Sequence, residues 1–194
     1  FLKDGKPMPF GDTVRSGLSV GVPGLMRALE LAHERHGKLP WAILFDPAIR
    51  LARDGFPMPA RLHLLLKAEG PARFSARARA HLFDETGAPH APGSLVKNPA
   101  YAETLLTLAE KGAGSFYEGA IAEAIVAAVA EAPNANGDMT LADLKGYQAK
   151  ERPPFCFAYR KRKICGMGPP SSGTITIAQT LQMIEPLAGI SGPF

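Results

Sequence analysis

Glycine and proline punctuation constrains this chain more than any other feature. They supply 20 and 18 of the 194 residues, about 20% against a usual sum of about 12%. Proline cannot donate a backbone hydrogen bond and glycine tolerates positive φ, so so much of both cuts a chain into many short elements. No glycine period of three accompanies the excess, which excludes a collagen-like triple helix.

Between the breaks, apolar spacing predicts helices. Leu25, Met26, Ala28, Leu29 and Ala32 recur at three and four, predicting a helix from Pro23 to His36 with Gly37 just past its end. Asp46-Pro47 opens a second through Ile49, Leu51 and Ala52 to Gly55, and Asn98-Pro99 a third through Tyr101, Leu105 and Leu108 to Gly112. All three share one grammar, entry at proline and closure by glycine, and Gly55 and Gly112 are expected in the left-handed region. Ala60 to Lys67 and Ala72 to Phe83 read as two more helices, divided by Gly70-Pro71. Ile121, Ile125 and Val129, four apart on the alanine-rich segment Ala120 to Ala132, are expected to face a core. Thr140-Leu141-Ala142-Asp143 has the spacing of a capping box.

After Arg152-Pro153-Pro154 the character changes. Phe155 to Tyr159 and Lys163 to Met167 are aromatic and β-forming around a basic turn and predict a hairpin. Gly168-Pro169-Pro170-Ser171-Ser172-Gly173 then breaks the strand before an apolar helix, Ile175 to Ile184. A boundary near Glu151 follows, with a helical lobe before it.

The apolar fraction of 46% and charged fraction of 21% are those of a globular chain, not a disordered one. The longest apolar run, Ala124 to Ala130, falls far short of the roughly 20 residues of a membrane helix. The chain opens at Phe1-Leu2-Lys3-Asp4 and stops at Gly192-Pro193-Phe194, so it reads as a fragment of a larger protein. A net charge of +4 and a pI near 9.2 do not by themselves imply nucleic acid. The run Arg160-Lys161-Arg162-Lys163 lacks a recognition helix or aromatic strip and is expected to be solvated.

Glu30, His33, Glu34 and His36 invite a metal reading, but the histidines stand three apart where a zinc-protease helix needs four, and no second acid-histidine helix supplies a di-iron site. A solvated polar face is expected instead. Ser171 and Ser172 lie between strand and helix, where nucleophilic serines occur. The elbow motif needs glycine two residues before and after the serine, and Pro169 and Pro170 occupy the preceding positions. Turn and N-cap duty is expected of both, with an anion at the helix start as the alternative. Cys156 and Cys165 are equidistant from Arg160-Lys161, so a two-residue turn sets them opposite one another. Two reduced, partly buried thiols are the default expectation, and a cross-strand disulfide is the alternative.

Taken in order, Ser19-Val20-Gly21-Val22-Pro23-Gly24, His36-Gly37-Lys38-Leu39-Pro40-Trp41, Asp46 to Phe56, Phe116 to Ala122, Leu141 to Tyr147 and Gly168 to Gly173 resemble the γ-glutamyltransferase (γ-glutamyltranspeptidase, glutathione hydrolase) family over nearly the whole chain. Thr174 stands where that family more often has a second glycine. Lys161 stands where its hairpin turn usually has glycine, so Lys161 must accept positive φ or the turn must differ.

The resemblance implies a helix-rich α+β fold: a mainly helical lobe over residues 1–150 and, over 151–194, a hairpin, turn and helix of the αββα sandwich of an N-terminal nucleophile hydrolase. It implies a precursor that cleaves itself into large and small subunits, the small subunit's new N-terminal threonine serving as nucleophile and its α-amine as base. The substrates implied are glutathione-like γ-glutamyl amides, with transfer to water or an amino-acid acceptor and no metal or organic cofactor. This chain matches the middle of the large subunit, after its carboxylate-binding arginine and before the processing site. No catalytic, substrate-binding or metal-binding residue is therefore carried onto it, and alone it is expected to be inactive. The partner implied is the small subunit of the same precursor; neither nucleic acid nor a membrane span is expected here, and a periplasmic or secreted location is suggested. The alternatives are a cephalosporin acylase or related amidohydrolase, and a non-catalytic helical interaction module.

Overall fold

The computed structural model describes residues 1–3 and 5–187, so the segment at Gly192-Pro193-Phe194 lies outside the described residues. The chain divides into two compact units between Ala149 and Lys150.

The first unit carries two antiparallel pairings of two-residue strands, β1 (Leu2–Lys3) with β2 (Lys6–Pro7) and β3 (Phe56–Pro57) with β4 (Leu95–Val96). Its helices are α1 (Phe10–Val14), α2 (Leu25–His36), α3 (Asp46–Asp54), α4 (Ala60–Glu69), α5 (Ala76–Leu82), α6 (Pro99–Lys111), α7 (Gly114–Tyr117), α8 (Ala120–Ala130) and α9 (Leu141–Gly146). The short elements bury three separate small clusters. Met58, Leu66, Phe83 and Val96 form one, Ile49, Leu105 and Ala109 a second, and Tyr117, Ala122 and Leu144 a third.

Proline entry and glycine exit hold for α3 and α6. Pro47 and Pro99 occupy their first turns, and the Asn98 side chain accepts the Tyr101 N–H at 3.0 Å. Gly55 and Gly112 stop these helices at φ 95° and 78°, but with ψ of 163° and 174°. That is not the left-handed helical well; it is an extended positive-φ region that essentially only glycine occupies. Gly70 ends α4 in the same way, at φ 73° and ψ 157°. A Cβ on Gly112 would meet nothing within 4 Å, so Gly112→Ala isolates the backbone effect. It should cost about 1–3 kcal/mol in denaturant unfolding, and an unchanged midpoint would show that the turn tolerates a side chain.

α2 departs from the grammar. It begins at Leu25 behind Gly24, two residues after Pro23, and Gly37 closes it at φ −64°. Glycine is needed at position 37 for room: a Cβ there would lie 2.4 Å from His33 Cδ2 and 2.5 Å from the His33 carbonyl oxygen. The segment expected as one helix from Ala72 breaks into a 3-10 turn, Pro71–Arg73, and α5, because Ser75 takes the N-cap and accepts the Ala78 N–H at 3.2 Å. On α8 the expected Val129 and Ile125 face the core, joined by Ala122, and Ile121 is the exception. Ala122 and Val129 are buried and Ile125 and Val126 pack beside the third cluster, while Ile121 is only half-buried. Offsets of three, four and seven follow the 3.6 period, whereas steps of four drift around the cylinder. The capping box forms as expected: Thr140 Oγ1 accepts the Asp143 N–H, and Asp143 accepts the Thr140 N–H at 2.8 Å.

The second unit is an antiparallel hairpin, β5 (Phe155–Tyr159) and β6 (Arg162–Gly166), followed by helix α10 (Gly173–Ile184). Its register pairs Cys156 with Cys165 and Tyr159 with Arg162, leaving Arg160-Lys161 as the two-residue turn. Arg160, not Lys161, takes positive φ, at 52°. Positive φ at the first central position is the type II′ pattern, so Lys161 bears no such strain. Glu185 Oε1 accepts the Arg160 N–H at 2.7 Å and holds the turn.

Candidate functional site

Two of the residues singled out for chemistry on α2, Glu30 and His33, have structural partners. On α2, Arg27 donates to Glu30 at 2.8 Å, and His33 Nε2 donates to the Leu39 carbonyl at 2.8 Å while its ring meets Trp41 edge-on at 5.3 Å. Glu30 and His33 therefore hold neighbours rather than converge on a point. Among the described residues no group of three or more His, Cys, Asp or Glu side chains is placed to hold a metal ion.

Tyr117, which sequence reading overlooked, organises the start of α2. Gly24 at the N-cap has no side chain to receive the helix's free N–H groups. The Tyr117 hydroxyl, from 90 residues away, accepts the Arg27 N–H at 3.1 Å and donates to the Pro23 carbonyl at 2.8 Å. The Arg27 guanidinium lies 4.5 Å from the Tyr117 ring centroid, and Tyr147 stacks on the ring at 6.2 Å. Burial pushes the phenol above its ordinary 10.0, against the opposing pull of the Arg27 N–H and charge. The group stays protonated and serves as a cap, not as a base.

In the second unit, Gly168 to Gly173 leads from β6 into α10 through a cis peptide between Pro169 and Pro170. The Ser171 N–H donates to the Gly168 carbonyl at 3.1 Å, and the Ser172 carbonyl accepts the Thr176 N–H at 3.0 Å. Ser172 stands at the N-cap position, but its side chain makes no cap hydrogen bond, so its expected capping is by position alone. Neither serine hydroxyl meets a histidine or carboxylate among the described residues' hydrogen bonds. Thr174 has a packing reason of its own. A Cβ added to Gly166 would lie 2.4 Å from Thr174 Oγ1, so the glycine on β6 makes the room that Thr174 fills. Gly166→Ala should therefore destabilise by about 1–3 kcal/mol, and Thr174→Gly added to it should restore most of the loss. Two additive costs in that double-mutant cycle would show that the residues do not couple.

Cys156 and Cys165 are joined in a disulfide, which replaces the expected pair of free thiols. The direct cross-strand pairing at this register brings the two side chains together. The basic turn beside it is solvent-exposed as expected, with the Arg160 guanidinium 5.3 Å from the Tyr159 ring centroid.

In the first unit a cavity of about 500 Å³ opens between α3, α5 and α6, lined by Leu51, Phe56, Leu82, Val96 and Tyr101 with His81 and Lys97. Its wall is largely apolar, with His81, Lys97, Asn98 and Tyr101 as the polar side chains.

The helix-rich α+β architecture is that of the N-terminal nucleophile hydrolases. The γ-glutamyltranspeptidase family model matches residues 1–191, and the chain belongs to that family. Glutathione hydrolase 2 of Arabidopsis thaliana is 34% identical over 182 residues, 92% of this chain and 31% of that protein. The crystal structure of Helicobacter pylori γ-glutamyltranspeptidase superposes with a TM-score of 0.84 at 31% identity, covering 95% of this chain and 52% of the other. The cephalosporin acylase of Bacillus halodurans shares the fold, at a TM-score of 0.71 and 24% identity over 85% of this chain and 32% of that one. The chain thus spans about a third of the length of the plant relative and about half of the Helicobacter chain.

Proposed function

We propose that this chain is the central part of the large subunit of a γ-glutamyltransferase, an enzyme that cleaves the γ-glutamyl amide of glutathione-like substrates and transfers the acyl group to water or an amino-acid acceptor. The observation that carries the reading is the family match over residues 1–191, supported by a relative named as a glutathione hydrolase at 34% identity. The acylase alternative has the weaker support, because 24% identity bears on fold alone.

In this reading residues 1–150 are the mainly helical lobe, and 151–194 belong to the sandwich that holds the reacting centre. The nucleophile is an N-terminal threonine of the small subunit, exposed by cleavage of the precursor, and its α-amine is the base. Residues 1–194 contribute none of the groups that touch substrate and serve as framework. The exposed Leu25, Leu29, Ile43, Leu44, Leu64 and Leu65 support that role, being apolar surface that the rest of the protein covers. The disulfide supports the oxidising periplasmic or secreted setting that the resemblance suggests.

The test is hydrolysis of a chromogenic γ-glutamyl anilide. The intact protein should release the anilide and residues 1–194 alone should give the buffer rate. An intact protein that cleaves only other amides would overturn the γ-glutamyl assignment.

A further inference from the structure

The disulfide lies on the open face of the hairpin. Side chains alternate across a strand, so Cys156, Ala158, Lys163 and Cys165 share one face, opposite Phe157 and Ile164. Phe157 is buried, whereas Ala158, Lys163 and Cys165 are exposed and Cys156 is half-buried. Cys165 is thus the more exposed residue of the pair. Lys163 stands two residues along the same strand face, about 7 Å away, and the turn adds Arg160, Lys161 and Arg162. Glu185 accepts the Arg160 N–H and sets one negative charge beside the four cations from Arg160 to Lys163. A disulfide on an exposed cationic surface attracts anionic nucleophiles and stabilises a departing thiolate.

We infer that Cys156–Cys165 is a thiol-exchange site for small anionic thiols. The thiolate sulfur of the incoming molecule attacks Cys165 Sγ. A bond forms between those two sulfurs as the Cys156–Cys165 bond breaks, and the electron pair leaves on Cys156 Sγ, which takes a proton from water. A second thiolate attacks the small molecule's sulfur in the mixed disulfide, giving its symmetric disulfide and a free Cys165 thiolate. Two small thiols are oxidised to one disulfide, and the protein disulfide is reduced to two thiols. Lys163 draws in the anion and lowers the cost of both departing thiolates. The site stands on the hairpin's geometry and does not depend on γ-glutamyl chemistry.

The test treats the intact protein with 2-mercaptoethanesulfonate or uncharged 2-mercaptoethanol, traps products with iodoacetamide and locates the adduct by mass spectrometry. Neither probe is a γ-glutamyl compound, so the outcome is separate from that of the anilide assay. The sulfonate should modify Cys165 at least about threefold faster per thiolate than the neutral thiol at low salt. The advantage should vanish at about 0.5 M salt, where charges are screened within about 4 Å, and should shrink in Lys163→Gln. Replacing both cysteines with serine should abolish the adduct. A disulfide that resists both thiols until the protein is denatured would overturn the inference, as would equal rates, an advantage indifferent to salt and to Lys163→Gln, or an adduct chiefly on Cys156.

Discussion

Gly17→Ala is expected to destabilise the protein by about 3 kcal/mol or more. Gly17 is buried, and its N–H donates to the Ala135 carbonyl at 2.8 Å. Its added Cβ would lie 2.3 Å from both the Gly137 nitrogen and the Val129 carbonyl oxygen. Both are backbone atoms. A flexible side-chain end can rotate out of a clash, but here the segment after α8 or the 3-10 turn at Gly17–Ser19 must move, breaking the Gly137 N–H bond to the Val129 carbonyl at 3.0 Å. Gly137→Ala meets the same contact from the other side, 2.5 Å from the Gly17 carbonyl oxygen. The two costs should accordingly be less than additive, since one displacement relieves both. Denaturant unfolding of the intact protein measures this, and a loss below about 1 kcal/mol would mean that the chains separate there at little cost.

Tyr117→Ala should cost about 3–5 kcal/mol. Its side chain is 1% exposed and packs with Ala122 and Leu144, so truncation leaves a cavity in the third cluster. It also strips the start of α2 of its cap. Tyr117→Phe keeps the ring and removes only the hydroxyl, leaving the Arg27 N–H and the Pro23 carbonyl without that partner; about 1–3 kcal/mol of the total should belong to it. Hydrogen exchange of the Arg27 amide reads the cap directly. It should quicken in the phenylalanine variant, and an unchanged rate would show that α2 begins without help from Tyr117.

Local features were legible in the sequence and contacts made at long range were not. The ends of α3 and α6 could be read because proline entry, the Asn98 cap and glycine exit act within a few residues. The capping box at Thr140 and the opposition of Cys156 and Cys165 are local in the same sense. The Gly17–Gly137 contact and the Tyr117 cap join segments about a hundred residues apart, and no spacing rule carries that information. The stripe of α8 was legible at Ile125 and Val129 but not at Ala122, its most buried position, because alanine is too small to dominate an apolar pattern. The hairpin shifted positive φ from Lys161 to Arg160 because two turn types fit two residues, and the contact with Glu185 lies outside the turn itself. For the candidate site, the absence of elbow spacing at Ser171 and Ser172 was visible in the residues, whereas the fit of Thr174 against Gly166 required coordinates.

The most direct test of the functional reading is mass spectrometry of the intact protein after treatment with a γ-glutamyl mechanism-based inhibitor. One label should appear, on an N-terminal threonine outside residues 1–194, with none on Ser171, Ser172 or any other residue of this chain. A label within residues 1–194 that disappears together with activity in Ser171→Ala would contradict the account, because the reacting centre would then lie in the chain read here as framework.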